Sequence, residues 1–489
     1  MSVDTNRRSL SGWGNTAPSV ATVVHRTGSE LTRPGALELL GDVDRGVIAR
    51  GLGRSYGDPA QNAGGTVVRL DEGQIELDAT SGTATVGAGV SLDTLLRRIV
   101  PQGWFVPVTP GTRFVTVGGA IASDIHGKNH HADRSFGSHV ISMRMLLADG
   151  NIRAITADSD ADLWWATLGG MGLTGIIIDA TFGLIPIETV RCLVDTERVP
   201  NLDALLDRME TGDHQYRYSV AWIDLVATGS SLGRAVLSRG NHATLNELRS
   251  YVPDAVDDPL KFDPPALPGI PTGMPNVLNR LAVRAFNEVW YRKTPRQHHG
   301  TETLTGFFHP LDMVGHWNRL YGRNGFLQYQ FVVPFAEVAT LRTIITKVSA
   351  GGHASFLAVL KRFGAESGGL LSFPKPGWTL TLDLPAHVDE ARARLLLAIA
   401  LFQEDDLTVG RAAEVAGLSY RAFVDALAAR GITRITRHPM LWSFAIWAIV
   451  HVVGNGDVAS LLFFGAFAVT ALAGMPSIRF GSGKMLCHV

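Results

Sequence analysis

Cysteine is nearly absent: Cys192 and Cys487 are the two in 489 residues. Two cysteines cannot build a disulfide framework, and their separation has no metal-ligand spacing. A surplus of charge is also missing. Lys and Arg number 44 and Asp and Glu 45, for a net charge of −1. Without a basic excess nothing is available to neutralise a phosphate backbone, so no nucleic-acid partner is expected. Charged residues make up 18% against 46% hydrophobic, a balance that argues against disorder. Arg7-Arg8 is followed by no apolar run, so no cleavable signal peptide is expected.

Glycine, by contrast, is plentiful at 53 residues, much of it in short motifs before residue 180. The length implies two domains and something more. Residues 46–185 read as short β-rich runs, such as Val67-Val68, Ala84-Thr85-Val86 and Ile176-Ile177-Ile178, broken by turn residues. Ser91 is placed to cap a helix carrying Leu92, Leu95, Leu96 and Ile99. This mixture predicts an α+β domain with close backbone approach to a ligand. Residues 190–385 hold most of the aromatic clusters, including Trp317 and Tyr321, which are expected in the core. The alternation over Phe326–Val333 predicts a strand with Gln328 and Gln330 on one face. Ser355 to Lys361 and Trp378 to Leu384 also read as strands, giving a second, sheet-based domain over a substrate.

Three small-residue segments carry the chemistry. The first is Ala49-Arg50-Gly51-Leu52-Gly53-Arg54-Ser55-Tyr56-Gly57-Asp58-Pro59. Its glycine spacing is not the Rossmann fingerprint, but successive small residues let N–H groups converge on an anion. The second runs from Pro110-Gly111-Thr112 through the Thr116-Val117-Gly118-Gly119 turn, Ser123-Asp124 and His126-Gly127-Lys128-Asn129-His130-His131. The third is Gly169-Gly170-Met171-Gly172-Leu173-Thr174-Gly175-Ile176-Ile177. Together they suit an extended dinucleotide threaded between two small subdomains. His126 reads either as a proton acceptor or as a histidine that fixes its loop. Lys361 reads as a ligand-binding amine or an exposed strand-end lysine. His130 and His131 lack a third partner at a telling distance, so no metal is expected.

These three segments resemble the vanillyl-alcohol-oxidase type of FAD-linked oxidoreductase. With Ser11-Gly12-Trp13-Gly14, Trp290-Tyr291-Arg292-Lys293, Phe308-His309-Pro310 and Leu371-Ser372-Phe373-Pro374, residues 10–385 resemble the decaprenylphosphoryl-ribose oxidase family. The resemblance implies a two-subdomain FAD-binding domain of the PCMH type over residues 1–188 and an antiparallel-sheet substrate domain over 189–388. It implies non-covalent FAD, with Ala49 to Pro59 around the pyrophosphate. Gly111, Thr112, Thr116 to Gly119, Ser123, Asp124 and His126 to Asn129 would flank the flavin, and Ile177 would touch the adenine part. Gln328, Gln330, Val359, Lys361, Thr379 and Thr381 would line the substrate pocket, with His126 and Lys361 catalytic. The activity implied is oxidation of the 2'-hydroxyl of a polyprenyl-phosphate-linked ribose, with a partner keto-reductase, in cell-wall arabinan precursor synthesis. A membrane-associated enzyme, on the periplasmic or the cytoplasmic face, follows from such a substrate. A sugar-lactone or alditol oxidase of the same flavin fold is the rival reading.

The family likeness stops near residue 385. Family members end on a Tyr-Thr-Ala-Lys-Asp run that returns to the flavin, and no such run follows here, which leaves open an inactive fusion with a vestigial flavin domain. Residues 389–433 resemble an antitoxin-like helix-turn-helix. Residues 434–489 read as an apolar hairpin, with 437–457 resembling a membrane segment of the NnrU family and an uncharged run from Val458 to Met475. A local departure generates a prediction. Thr379 and Thr381 stand where the family carries Asn and Cys, and Thr381 offers no thiolate. A nitroaromatic inhibitor that captures that thiol is expected to leave the intact mass of this protein unchanged after turnover; an added mass refutes this.

Overall fold

The computed structural model describes residues 6–386, apart from 42–44, 266–267, 274–277, 279, 352–354 and 356, together with 419, 421 and 422. The chain divides into two compact units, Met1–Glu390 and Ala391–Val489. The elements below belong to the first. The helix-turn-helix-like and apolar-hairpin readings of 389–489 fall, three residues aside, outside the described residues.

Among the described residues, three sheets and a short strand pair carry the fold. The first sheet holds β1 (Asn6–Leu10), β2 (Ser19–Arg26), β3 (Val47–Ala49) and β4 (Thr66–Leu70) in the order β1-β2-β4-β3. Its inner strands pair in parallel, and Val23, Val24, Val67 and Val68 are buried, as strands covered on both faces require. The second sheet holds β5 (Ile75–Asp78), β6 (Thr83–Gly87), β8 (Val140–Leu146), β9 (Ile152–Ile155) and β10 (Ile176–Gly183), all antiparallel, in the order β5-β6-β10-β8-β9. β7 (Trp104–Phe105) and β11 (Ile185–Pro186) form the short pair.

Two helices pack in the core of this second sheet. Leu92–Ile99 is capped by Ser91, whose Oγ accepts the Thr94 N–H at 3.0 Å. Its Leu92, Leu95, Leu96 and Ile99 recur at helical spacing and are fully buried. The second helix corrects the sequence reading. Thr116 to Gly119 is not a turn but the start of helix Val117–Ala122, with Thr116 Oγ1 accepting the Gly119 N–H. The glycines are needed for packing: a Cβ on Gly118 would lie 2.9 Å from the Ala88 Cβ.

The third sheet is antiparallel throughout. It comprises β12 (Arg191–Val199), β13 (Tyr218–Ile223), β14 (Ala235–His242), β15 (Gln297–Thr303), β16 (Phe326–Val333), β17 (Ala358–Phe363) and β18 (Gly377–Pro385), in the order β15-β12-β14-β13-β17-β18-β16. β16 coincides with its predicted span, whereas β17 starts three residues later than the sequence reading placed it. Arg362 donates to the Met209 carbonyl of helix Leu202–Gly212. Neighbouring strand residues point to opposite faces, so Lys361 is turned away from that helix.

A buried ionic knot ties the two halves together. Arg113 Nε meets Asp93 Oδ1, its N–H donates to Asp312 Oδ2 at 2.7 Å, and Thr112 Oγ1 donates to Asp312 Oδ1 at 2.6 Å. The Arg113 and Asp312 side chains are 3% and 2% exposed. Removing one partner strands the other's charge in a medium that cannot solvate it. Arg113→Leu is therefore expected to lower the unfolding free energy by about 3–5 kcal/mol, read as a shifted urea midpoint. A loss below about 1 kcal/mol, the range of a surface pair, would refute the structural role.

Candidate active site

The first glycine segment is a loop held by its carbonyl side. The N–H groups of Trp13 and Gly14 donate to the carbonyls of Ser55 (2.7 Å) and Tyr56 (3.1 Å). Arg50 reaches back to the carbonyls of Ala60 and Ser11. Arg54 stacks on Trp13, 3.8 Å from the ring centroid, and its buried Nε has no partner among the described residues. The amide side of the loop is left open: the N–H groups of Gly51 to Asp58 donate to no acceptor among the described residues. A run of unspent donors next to guanidinium groups is a cradle for a pyrophosphate.

The three segments meet. A Cβ on Gly51 would fall 2.4 Å from Thr116 Oγ1, so the first loop lies against the start of the second-segment helix. The third joins the second through Gly169 N–H to the Ile121 carbonyl (3.1 Å) and Met171 N–H to the Ala122 carbonyl (2.8 Å). Several expected cofactor residues have their side chains engaged inside the protein. Asp124, at φ +40°, accepts from Gly137 N–H and from the Ser367 and Ser372 hydroxyls. Lys128 Nζ donates to the Phe307 carbonyl, and Asn129 Nδ2 to Pro107 O and Asp133. The Ile177 side chain sits in the hydrophobic core. The Asp124, Lys128 and Ile177 side chains are thus engaged within the protein, whereas the buried Asn129 Oδ1 has no partner among the described residues.

His126 and Lys361, 235 residues apart, are brought together, with Lys361 Nζ 3.2 Å from His126 Nδ1. Loss of solvent, then the nearby Lys128, pushes the Lys361 ammonium down to about 7. Burial, then Lys361 and His130, pushes His126 well below the usual imidazole range, opposed by a hydrogen bond with Gln330. The Gln330 amide NH₂ donates to Thr379 Oγ1 at 2.9 Å.

The expected substrate residues share one sheet face. Antiparallel register sets Gln328 opposite Asp383, Gln330 opposite Thr381, Val359 opposite Thr381 and Lys361 opposite Thr379. The sequence reading missed Asp383. Its carboxylate accepts from Gln328 Nε2 (2.9 Å) and Tyr321 Oη (3.3 Å), and burial raises its pKa to about 7. Tyr56 hydrogen-bonds Gln328 from the cofactor loop, and burial, then Asp383, raises its phenol above the usual range. Tyr321 is buried in the core as expected, yet its hydroxyl reaches this network. Asp383 lies two residues beyond Thr381, so strand alternation could have found it.

Comparison with known proteins identifies the family of the chain. Residues 29–156 match the FAD binding domain family, and residues 380–482 match the NnrU protein family. Decaprenylphosphoryl-beta-D-ribose oxidase of Mycolicibacterium smegmatis is 47% identical over 386 residues, covering 78% of this chain and 83% of that protein. The chain belongs to the decaprenylphosphoryl-β-D-ribose oxidase family. An uncharacterized protein in the mprA 5' region of Streptomyces coelicolor is 36% identical, covering 63% of this chain and 84% of that protein. A solved structure, wild-type BBE-like 1 of Physcomitrella patens, superposes with a TM-score of 0.54 at 15% identity, over 81% of each chain. The family member is thus an FAD-binding oxidoreductase of the α+β, PCMH-type fold with an antiparallel-sheet second part.

The residues fit that cofactor: the open amide run of Gly51 to Asp58 suits its pyrophosphate, and the glycine at 51 lets that loop close on Thr116 at the start of the glycine helix. The Lys361–His126 pair generates a pH prediction. Below about 7 the amine is protonated and cannot accept a proton; above it the pair is neutral. The kcat/KM of alcohol oxidation is expected to rise with pH through about 7 and then level. Lys361→Met should lose that step and roughly 10²–10⁴-fold in rate. A pH–rate profile of the variant that keeps the step would assign it elsewhere.

Proposed function

We propose that this protein oxidises the 2'-hydroxyl of decaprenylphosphoryl-β-D-ribose, or a closely related polyprenyl-phosphate-linked ribose, to the 2-keto sugar. The observation that carries the reading is the neutral amine–imidazole pair, placed where the cofactor loops meet an amide-lined sheet face. FAD, when bound, supplies a two-electron acceptor, so the protein must orient the carbinol and remove its proton. Gln328, Gln330 and Thr381 present donors and acceptors to the ribose hydroxyls along one strand pair. His126 and Lys361 take the hydroxyl proton while the C2'–H bond is broken. Sharing the proton across the 3.2 Å contact keeps it from returning to the sugar oxygen. On this reading a partner keto-reductase converts the 2-keto product to an arabinose donor, and the pair of reactions serves arabinogalactan precursor synthesis. The lipid-linked substrate supports work at a membrane face. Among the described residues no helix is long and apolar enough to cross a membrane.

The test is anaerobic reduction of the purified yellow protein. Bleaching of the flavin bands by farnesylphosphoryl ribose, and not by free alditols or sugar lactones, is expected. Bleaching by alditols alone would assign the rival activity, and a folded colourless product would overturn the flavoenzyme reading.

A further inference from the structure

An apolar lip borders the catalytic pair. Between β17 and β18, Leu370, Leu371 and Phe373 are 74%, 58% and 40% exposed. Single surface leucines are ordinary, but three large apolar groups within four residues are a patch that asks for a partner. The patch does not lie on a loose tip. Asp124 holds both ends of it, accepting from the Ser367 and Ser372 hydroxyls at 2.6 Å each. Leu370 N–H donates to the Trp165 carbonyl, and a Cβ on Gly369 would fall 2.4 Å from the Leu168 carbonyl. Asp124 adopts a left-handed backbone conformation to do this, which costs a non-glycine residue energy.

The lip is continuous with the site. The Phe373 ring lies 6.4 Å from His126 and 6.1 Å from Phe363, and Phe363 lies 4.7 Å from His126. An apolar track therefore runs from the proton-accepting histidine through two phenylalanines to the exposed leucines. A ribose phosphate has no use for such a track. A hydrocarbon chain attached to that ribose phosphate does.

We infer that the 370–373 lip seats the first isoprene units of the substrate's polyprenyl chain. This rests on the lipid-linked-ribose reading above, and the experiment separates the two. The full-length flavoprotein and its Leu370→Ser/Leu371→Ser variant are assayed with farnesylphosphoryl ribose and with methylphosphoryl ribose, which lacks the chain. Binding of farnesyl phosphate and of methyl phosphate is measured in parallel through the flavin fluorescence. Both leucines are solvent-facing, so flavin content and kcat with methylphosphoryl ribose are expected to stay as in the parent. The KM for farnesylphosphoryl ribose and the Kd for farnesyl phosphate are expected to rise roughly ten- to a hundredfold, the scale of losing one fully buried leucine shared between two partly covered ones. Unchanged farnesyl affinity, or an equal loss for both ligands, overturns the lip. Parent protein that binds farnesyl phosphate no better than methyl phosphate overturns it as well, even with normal turnover. Tight, leucine-dependent farnesyl phosphate binding without turnover of either sugar supports the lip and sinks the oxidase reading instead.

Discussion

The contact between Lys361 and His126 couples the two working parts of the molecule. One residue stands on a strand of the large antiparallel sheet and the other on the loop that follows the glycine helix. Both are held toward their neutral, proton-accepting forms. The amine next to the ring disfavours imidazolium, and the desolvated site disfavours ammonium. A protonated lysine in the same place would be a fixed positive charge, useful for an anion and useless as a proton acceptor. The site's chemistry thus depends on the exclusion of water, and that depends on the sheet and the cofactor loops closing on each other.

Two further links maintain that closure. The Arg113, Asp93 and Asp312 knot locks helix Leu92–Ile99 and the segment after it to the Pro310–Met313 turn. The Tyr56, Gln328, Asp383 and Tyr321 network ties the pyrophosphate loop to the strand that carries the substrate-facing amides. In it Asp383 orders Gln328 from below while Tyr56 meets the same amide from the cofactor side. A buried network of this kind is worth having when every member is satisfied, because each partner fixes the orientation of the next. Asp124 plays a comparable part at the other edge, where it accepts two hydroxyl hydrogen bonds that hold the 364–373 loop beside His126, while Gly137 N–H donates to its other oxygen.

Much of this was legible along the chain. Ser91 reads as a cap because a hydroxyl before an i, i+3, i+4 apolar pattern has few other uses, and it caps. Phe326–Val333 reads as a strand because its polar and apolar residues alternate, and the amides at 328 and 330 share a face as the alternation requires. Thr116 to Gly119 misled because two adjacent glycines suggest a turn. The helix tolerates them because its flank presses on Ala88, where a side chain has no room. Asp383 escaped notice because a lone carboxylate at a strand end resembles a solvated one until its neighbours are known.

What the sequence by itself determined was the set of local preferences: three small-residue segments able to bring backbone amides to an anion, strands with one polar face, capped helices, and the motifs that mark a flavin oxidase. The local preferences follow from propensity and periodicity, which act over a few residues, and the motifs mark the oxidase by resemblance. Only the tertiary structure decided which side chains touch. It set His126 against Lys361, sent the Asp124, Lys128 and Asn129 side chains into the protein, and gathered Tyr56 and Asp383 on one glutamine. Those outcomes depend on strand order and register across hundreds of residues, and a proton's position between two bases depends on how much water that packing shuts out.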